Sequence, residues 1–375
     1  MARSWSFFIA LTAIAAACNT AELKQAPRST GSTDDPSYYE GDCLPDEECE
    51  DSISPSPGLD AGRSDTVDGG TLPMSKGVTI QVQPSDRGAA LLDAIRSAKK
   101  SVHMTMYLLS NDDVVEALGD LKAQGKDVKV VLNKDFPPNG GNNTKAYNAL
   151  RSRGVPVQWA PSAYTFTHAK TIIIDGEKVI VMTMNLTESS AATNREYIAT
   201  DTDPEDVADA ERIFDADFNN KALSLTSKLV VSPRGANYLD ARDHLRTLIN
   251  SAKTSLDVEV QSLSDAGIVD AIILAHQAGV AVRVVISGDN ELTPAQRNAL
   301  DELKQHGVPV RALQRPDMHA KAIVVDEEKV FVGSHNFTST ALFENREVGV
   351  MTDDRAQAAK VRAVIAEDFE KGREP

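Results

Sequence analysis

The stretch that decides the fold is a short run that occurs twice, as HAKTIIID at residues 168–175 and as HAKAIVVD at residues 319–326. The two copies continue alike, because an Asn follows each His by 17 residues and a Glu follows it by 28. Each Glu ends an Asn-Arg-Glu triplet. These residues are Asn185 and Asn336, and Glu196 and Glu347. Two half-sites with matching polar residues at matching spacing predict one composite active site at a pseudo-twofold axis.

The sequence around both copies alternates β-branched runs with amphipathic stretches, which is typical of α/β folds. LKAQGKDVKVVLN from Leu121 is echoed by LAHQAGVAVRVVIS from Leu274. Repeats of about 150 residues are too long for a solenoid, so they indicate a duplicated domain. We therefore predict two similar α/β/α lobes around a pseudo-twofold axis, at residues 78–222 and 223–375.

Residues 1–18 have the features of an export signal, with Arg3 before an apolar run that ends in three Ala residues and Cys18. The run is shorter than the roughly 20 residues that span a bilayer. Its end resembles a bacterial lipoprotein processing site, which predicts lipidation of Cys18 and a membrane-anchored protein of the cell envelope. Plain signal cleavage with secretion, and a short buried N-terminal helix, stay open as alternatives.

Residues 19–77 are predicted to be a disordered acidic tether. Residues 19–78 hold 13 acidic and 4 basic side chains, and the segment is rich in Ser, Pro and Gly without apolar periodicity. In an exported protein Cys43 and Cys49 are expected to form a disulfide, a more favoured interpretation than metal binding. Since the chain has only 3 Cys, all before residue 50, thiol catalysis in the lobes is excluded.

The repeated residues suit phosphate chemistry. Because alternate residues of a strand point to one face, His168 and Lys170 project together, as do His319 and Lys321. Two Lys, two His and two amides form a cationic, donor-rich site that stabilises a five-coordinate phosphorus transition state. One His can attack phosphorus while the other acts as general acid and base. Glu196 and Glu347 are candidates for orienting the imidazoles.

The pattern H-x-K-x(4)-D, with a following G-S-x-N and a distant Glu, resembles the phospholipase D superfamily from about residue 78 to the C-terminus. The second copy matches through Gly333 and Ser334, whereas the first has Met182 and Thr183 there, and Met182 is expected to narrow one side of the pocket. The resemblance implies lobes packed sheet edge to sheet edge, chemistry without metal or cofactor, and a phosphohistidine intermediate.

By the same analogy His168 is the nucleophile and His319 the general acid and base. Phosphate binding is assigned to four residues, Lys170, Asn185, Lys321 and Asn336. The candidate catalytic set adds Glu196, Glu347, Asp175 and Asp326, although bonding to turn amides is the favoured interpretation of the two Asp residues. Apolar residues that flank the motifs are expected either to form an apolar rim of the pocket or simply to pack in the core. These residues are Tyr164, Phe166, Phe337, Leu342 and Phe343. Residues 134–145 are a candidate lip of the pocket.

The leading functional hypothesis is a phospholipase D-type phosphodiesterase that hydrolyses or transfers phospholipid headgroups. The expected partners are a phospholipid or other phosphodiester substrate, and a membrane reached through the lipid anchor. A nuclease of the same superfamily is the alternative, disfavoured by a net charge of −16, because nonspecific nucleic-acid binding needs a basic surface. A catalytically inactive, phosphate-binding surface module is the third hypothesis.

Overall fold

The computed structural model describes residues 72–137, 141–223, 228–233, 240–288 and 292–375. The strands are β1 (Thr79–Gln83), β2 (Ser101–Met106), β3 (Asp127–Leu132), β4 (Val157–Trp159), β5 (Lys170–Ile174), β6 (Lys178–Met182), β7 (Asn194–Asp201), β8 (Val230–Ser232), β9 (Ser255–Val260), β10 (Ala281–Ser287), β11 (Val310–Leu313), β12 (Asp317–Met318), β13 (Lys321–Val325), β14 (Lys329–Gly333) and β15 (Glu347–Thr352). The helices are α1 (Ala89–Arg96), α2 (Asp112–Ala123), α3 (Thr144–Ser152), α4 (Ser190–Thr193), α5 (Pro204–Phe218), α6 (Ala241–Asn250), α7 (Ala266–Gln277), α8 (Pro294–Gln305), α9 (Ser339–Phe343) and α10 (Arg355–Lys371).

Two mixed sheets confirm the predicted α/β fold of two similar lobes. The main path of the first sheet runs β1-β7-β6-β5-β2-β3-β4, and the second runs β11-β10-β9-β13-β14-β15-β8. In the first lobe β2, β3 and β4 are parallel and β5, β6 and β7 are antiparallel neighbours, and β9 to β11 and β13 to β15 repeat this arrangement. The duplication inferred from the sequence therefore extends to strand order and direction.

The apolar core forms three clusters, one on the outer face of each sheet and one between the sheets. The five layers are the outer helices of the first lobe, the first sheet, a central layer with α5 and α10, the second sheet and the outer helices of the second lobe. Helices α1 to α3 cover the outer face of the first sheet, and α6 to α8 cover the outer face of the second. Between the sheets, their inner faces share one cluster with α5 and α10. Alternation along β13 shows the geometry, because Ala322 and Val324 belong to the central cluster while Ile323 and Val325 belong to the outer one.

The two lobes meet through more than the sheet edges that the family resemblance implied. The interior strands β6 and β7 lie against β14, and their inward residues share the central cluster. Main-chain pairing also crosses between lobes in two equivalent places, where β12 pairs with the start of β7 and Thr167 pairs with Arg346. The edge-to-edge expectation was therefore incomplete, since the buried face between the sheets is part of the same interface.

The N-terminal predictions fall almost wholly on residues 1–71. The export signal, the lipidation at Cys18 and the disulfide between Cys43 and Cys49 lie outside the described residues. The last part of the predicted tether, residues 72–77, is described and packs on both lobes, with Thr202 of the first lobe donating to Gly77 O at 3.2 Å. Ser75 N donates to Met351 O at 2.8 Å, and Met74 packs against the outer core of the second sheet. Within the described ranges, no helix is both long and apolar enough to cross a membrane.

Candidate functional site

Both His-Lys pairs lie where a central strand begins. Lys170 opens β5 and Lys321 opens β13, and each Lys Nζ donates back to the carbonyl of the His two residues earlier, at 2.8 Å and 2.9 Å. The side chains are buried, with His168 only 2% and His319 only 3% exposed. This bond holds each ammonium beside its imidazole, so the i, i+2 geometry predicted from the sequence is present in both lobes.

Each His is oriented by the Glu of the other lobe. His168 Nδ1 lies 2.8 Å from both carboxylate oxygens of Glu347, and His319 Nδ1 lies 2.7 Å from Glu196 Oε1. The main chain reinforces the crossing, because His168 N donates to Arg346 O and His319 N to Arg195 O. Neither half-site is complete within its own lobe, so the repeated residues form one composite cluster.

The buried Glu347 carboxylate keeps its negative charge. Burial by itself would raise the pKa of Glu347, but the charge and hydrogen bond of His168, with Lys170 nearby, lower that pKa below its ordinary value. An ionised carboxylate has no proton to donate, so His168 Nδ1 must be the donor of the bond. When the His168 ring is neutral, its lone pair therefore resides on Nε2, which makes Nε2 the nucleophilic nitrogen.

The two carboxylates have different supporting donors. Glu347 accepts a hydrogen bond from Asn345 Nδ2 at 3.3 Å. Glu196 accepts one from Asn194 Nδ2 at 3.4 Å and a further one from the Thr183 hydroxyl. In the second lobe Ser334 Oγ instead donates to Val348 O at 3.3 Å. The departure from Ser to Thr in the first copy therefore coincides with an additional hydrogen bond to Glu196.

The two amides of the motif lie on the segments that follow β6 and β14. Main-chain bridges from Leu186 to Leu109 and from Phe337 to Leu263 hold these segments beside the ends of β2 and β9. Asn185 is fully buried, and neither its amide nitrogen nor its amide oxygen has a hydrogen-bond partner within the described part of the chain. A buried amide without protein partners is costly, which suits a group that bonds to substrate.

The lysine environments differ between the lobes. Lys170 Nζ lies 4.9 Å from the centre of the Tyr107 ring, a cation–π distance. Lys321 Nζ donates to Gln261 Oε1 at 2.9 Å and lies 3.2 Å from His319 Nε2. Tyr107 follows β2 by one residue, and Gln261 follows β9 by one residue. The same position is therefore aromatic in one half-site and an amide in the other.

Asp175 and Asp326 lie at the far ends of β5 and β13, away from the histidines. Asp175 lies five residues beyond Lys170, roughly 16 Å along an extended strand. Its carboxylate accepts hydrogen bonds from the main-chain N–H groups of residues 99–101, and Asp326 does the same for residues 253–255. Of the two interpretations open from the sequence, these contacts support the structural one for both Asp residues.

Sequence reasoning missed two buried salt bridges, each of which joins one lobe to the other. Arg346 Nε donates to Asp217 Oδ2 at 3.0 Å, and Arg195 Nη2 donates to Asp368 Oδ1 at 3.0 Å. Each Arg is the middle residue of an Asn-Arg-Glu triplet, and each Asp lies near the end of α5 or α10. Asp217 and Asp368 are separated by the same 151 residues as the two histidines, so the repeat spacing was the signal that could have found them.

One expectation about the pocket walls was wrong. Met182 does not narrow the pocket, because it packs fully buried in the outer core with Ile180 and Ile198. In the second lobe Phe331 fills the equivalent space over Gly333. Of the flanking apolar residues, Phe337 and Leu342 are core residues, Phe343 packs against that core under Arg242, and Tyr164 contacts Arg346 and Asp217, which leaves Phe166 as a candidate rim residue.

Comparison with known proteins gives a consistent result. The family model described as "Cardiolipin synthase, PLD-like domain" matches residues 91–218 and 245–369. The chain is 26% identical to the minor cardiolipin synthase ClsB of Bacillus subtilis (strain 168), over 75% of this chain and 78% of that protein. It is 38% identical to the mitochondrial cardiolipin hydrolase of Xenopus tropicalis, over 31% of this chain and 54% of that protein.

Solved structures show the same two-lobed fold. The crystal structure of phosphatidylserine synthase from Haemophilus influenzae Rd KW20 superposes with a TM-score of 0.62 at 13% identity. The match covers 78% of this chain and 87% of that one. At this level of identity the likeness is one of fold, and it supports the pairing of two similar lobes.

Proposed function

Because this chain belongs to the family of cardiolipin synthase phospholipase D-like domains, within the phospholipase D superfamily, we propose that it transfers a phosphatidyl group between alcohols through a phosphohistidine. The resemblance read from the repeated motif is thereby confirmed at the level of the family and of phospholipid chemistry. The observation that carries the proposal is the crossed pairing of His168 with Glu347 and of His319 with Glu196, which presents two oriented imidazoles in one buried site.

The reaction follows from the placement of the two rings in one buried site. His168 Nε2 attacks phosphorus, and the bond from phosphorus to the headgroup oxygen breaks as His319 gives that oxygen a proton. An acceptor alcohol then loses its proton to His319 while its oxygen attacks phosphorus, and the phosphorus–nitrogen bond breaks. Lys170, Lys321 and the amide of Asn185 stabilise the charge on the equatorial oxygens in both steps.

Transfer and hydrolysis differ only in the acceptor, which is an alcohol in one case and water in the other. Similarity to a cardiolipin synthase over three quarters of the chain favours an alcohol. Burial of both His residues also favours transfer, because it limits the access of bulk water to the phosphohistidine. Hydrolysis is therefore proposed as the slower, competing outcome of the same intermediate.

The decisive assay offers the full chain three substrates side by side in EDTA: phosphatidylglycerol vesicles, single-stranded DNA and duplex DNA. We expect headgroup exchange with added isotope-labelled glycerol on the vesicles, and little cleavage of either DNA. DNA cleavage without phospholipid turnover would replace the proposal with the nuclease alternative. Activity that is lost in chelator and restored by a divalent ion would contradict the histidine mechanism. No turnover of any substrate would favour a binding module.

The roles of the two histidines are testable with a phosphatidyl ester of p-nitrophenol, whose leaving group needs no acid. His319→Ala should still release p-nitrophenol and retain a labelled phosphatidyl group on the protein after a rapid alkaline denaturing quench. His168→Ala should retain no label. A covalent adduct on His168→Ala would reverse the assignment.

We also propose that residues 1–18 direct export and that Cys18 carries a lipid that anchors the protein to the envelope. The support is the sequence of that segment together with a phospholipid substrate, which an anchored enzyme would meet at the membrane. Cys18→Ser should move the protein from the membrane fraction to the soluble fraction. An unchanged distribution would contradict the anchor and would leave the catalytic proposal untouched.

A further inference from the structure

We infer that the substrate is held in one orientation, with its diacylglycerol half against an aromatic wall on the first lobe and its polar alcohol against the second lobe. The aromatic wall consists of Tyr107, Phe136 and Phe166. The inference rests on the proposed phosphatidyl transfer and adds to it the division of the site into an acyl side and an alcohol side.

The aromatic wall leads from the surface to the attacking imidazole. The Tyr107 ring meets the His168 ring edge-on, with 4.7 Å between their centroids. The Phe136 centroid lies 4.9 Å from that of Tyr107, and the Phe166 centroid lies 6.1 Å away. Tyr107 is fully buried, while Phe136 and Phe166 are partly exposed. Half-exposed aromatic rings at the mouth of a site gain free energy when they cover methylene groups of a ligand.

The positions of the second lobe that correspond to Tyr107 and Phe166 are polar. Gln261 replaces Tyr107 beside the motif lysine. Asp317 replaces Phe166, and the two positions are matched by structure as well as by spacing. Asp317 pairs with Asn194 at the start of β7, just as Phe166 N donates to the Asn345 side chain ahead of β15. The pseudo-twofold axis therefore relates an apolar approach on one side to a polar approach on the other.

This asymmetry agrees with the direction of the proposed chemistry. In the covalent intermediate the phosphatidyl group is bonded to His168, so its glycerol and first methylenes stay near the aromatic wall. The alcohol leaves or enters beside His319, the ring that gives and takes its proton. Lys321 links that ring to Gln261, through the 3.2 Å and 2.9 Å contacts, so the hydroxyls of a polar alcohol meet hydrogen-bonding groups there.

The test compares substitutions at the two equivalent positions, Phe166→Ser and Asp317→Ser. Full-chain enzyme is assayed on monomeric phosphatidylglycerols with dibutyryl or dihexanoyl chains, so that binding to a bilayer does not contribute. Phe166→Ser should lower kcat/KM about tenfold on the dihexanoyl substrate and less than twofold on the dibutyryl one, since the wall acts on added methylenes. Phe166→Leu, which keeps an apolar side chain, should retain most of the wild-type kcat/KM on the dihexanoyl substrate.

Asp317→Ser is the matched control. It should leave the ratio between the two chain lengths unchanged, while the preference for glycerol over ethanol as acceptor falls several-fold. An equal loss on both chain lengths for Phe166→Ser, or a chain-length effect for Asp317→Ser, would overturn the inference. Wild-type enzyme that turns over neither substrate would instead contradict the proposed function. Thermal unfolding of all three variants identifies any that fail to fold, and Phe166→Leu then carries the comparison.

Discussion

The two half-sites hold the same imidazole–carboxylate pair in different surroundings. His168 and Glu347 lie beside an aromatic ring, and the carboxylate accepts an amide donor from Asn345. His319 and Glu196 lie on the polar side, and Glu196 accepts a hydroxyl donor in addition to an amide. The residues that the lobes share determine which reaction is feasible. We propose that the residues in which they differ determine which half attacks and which half protonates.

Removing the crossed carboxylates, Glu347 and Glu196, should have the largest effect on the catalytic rate of the two half-sites. Glu347→Gln keeps the shape of the side chain but can present an NH2 group to Nδ1, which disfavours the tautomer with its lone pair on Nε2. In a serine protease triad the corresponding change lowers kcat by about 10⁴-fold, and we expect a similar loss here. Glu196→Gln should lower the single-turnover rate less with a p-nitrophenyl leaving group than with a glycerol leaving group. Single-turnover rates with both leaving groups measure the difference, and identical losses in all four cases would contradict distinct roles.

Breaking the buried salt bridges should destabilise the protein at both interfaces. Asp217→Asn leaves the guanidinium of Arg346 buried without its countercharge, which typically costs about 3–5 kcal/mol. Asp368→Asn should cost a comparable amount through Arg195. Urea unfolding gives both free energies, and the surface variant Glu367→Gln is the control. A loss below about 1 kcal/mol at either position would mean that the ion pair is not what holds the Asn-Arg-Glu strand in place.

The sequence predicted the site better than its surroundings, for a physical reason. Repetition at a spacing of 151 residues identified the His, Lys, Asn and Glu residues, because chemistry requires those residue types in both lobes. Strand periodicity placed His168 and Lys170 on one face. The crossing of each Glu to the other lobe was beyond local patterns, since it depends on how two sheets pack. Met182 was misplaced for the same reason, because only the packed outer core shows where its side chain is accommodated.

The buried Glu259 of the second lobe should make the stability of the protein depend on pH. Burial, with the nearby charge of Asp368, raises the pKa of Glu259 from its ordinary value to about 8, against the hydrogen bond from Tyr197. Because the pKa is higher in the folded state, protonated Glu259 contributes fully to the free energy of unfolding below pH 4.5. That contribution is lost as the pH rises through about 8. The equivalent residue of the first lobe is the uncharged Thr105.

Glu259→Gln should therefore flatten the pH dependence of the unfolding free energy between pH 6 and pH 8.5. The difference in unfolding free energy between Glu259→Gln and wild type should shift in favour of the variant by about 1–3 kcal/mol from pH 6 to pH 8.5. This is the range for desolvating a buried polar group, about 1–3 kcal/mol. Urea titrations at the two pH values measure this, with Thr105→Ser as the control from the first lobe. Parallel pH slopes for wild type and Glu259→Gln would show that Glu259 does not titrate in this range.

Removing the hydroxyl of Thr183, the residue that follows β6, should have the smallest effect. It tests the smallest difference between the two half-sites. Thr183 donates to Glu196, whereas the Ser334 hydroxyl exchanges hydrogen bonds with the main chain of Val348. Thr183→Val removes a donor to a charged group, so we expect about a tenfold fall in kcat. Thr183→Ser should keep nearly full activity, and Ser334→Ala should lower stability by about 1 kcal/mol with little change in kcat. An equal loss of kcat in Ser334→Ala would mean that the two hydroxyls are equivalent.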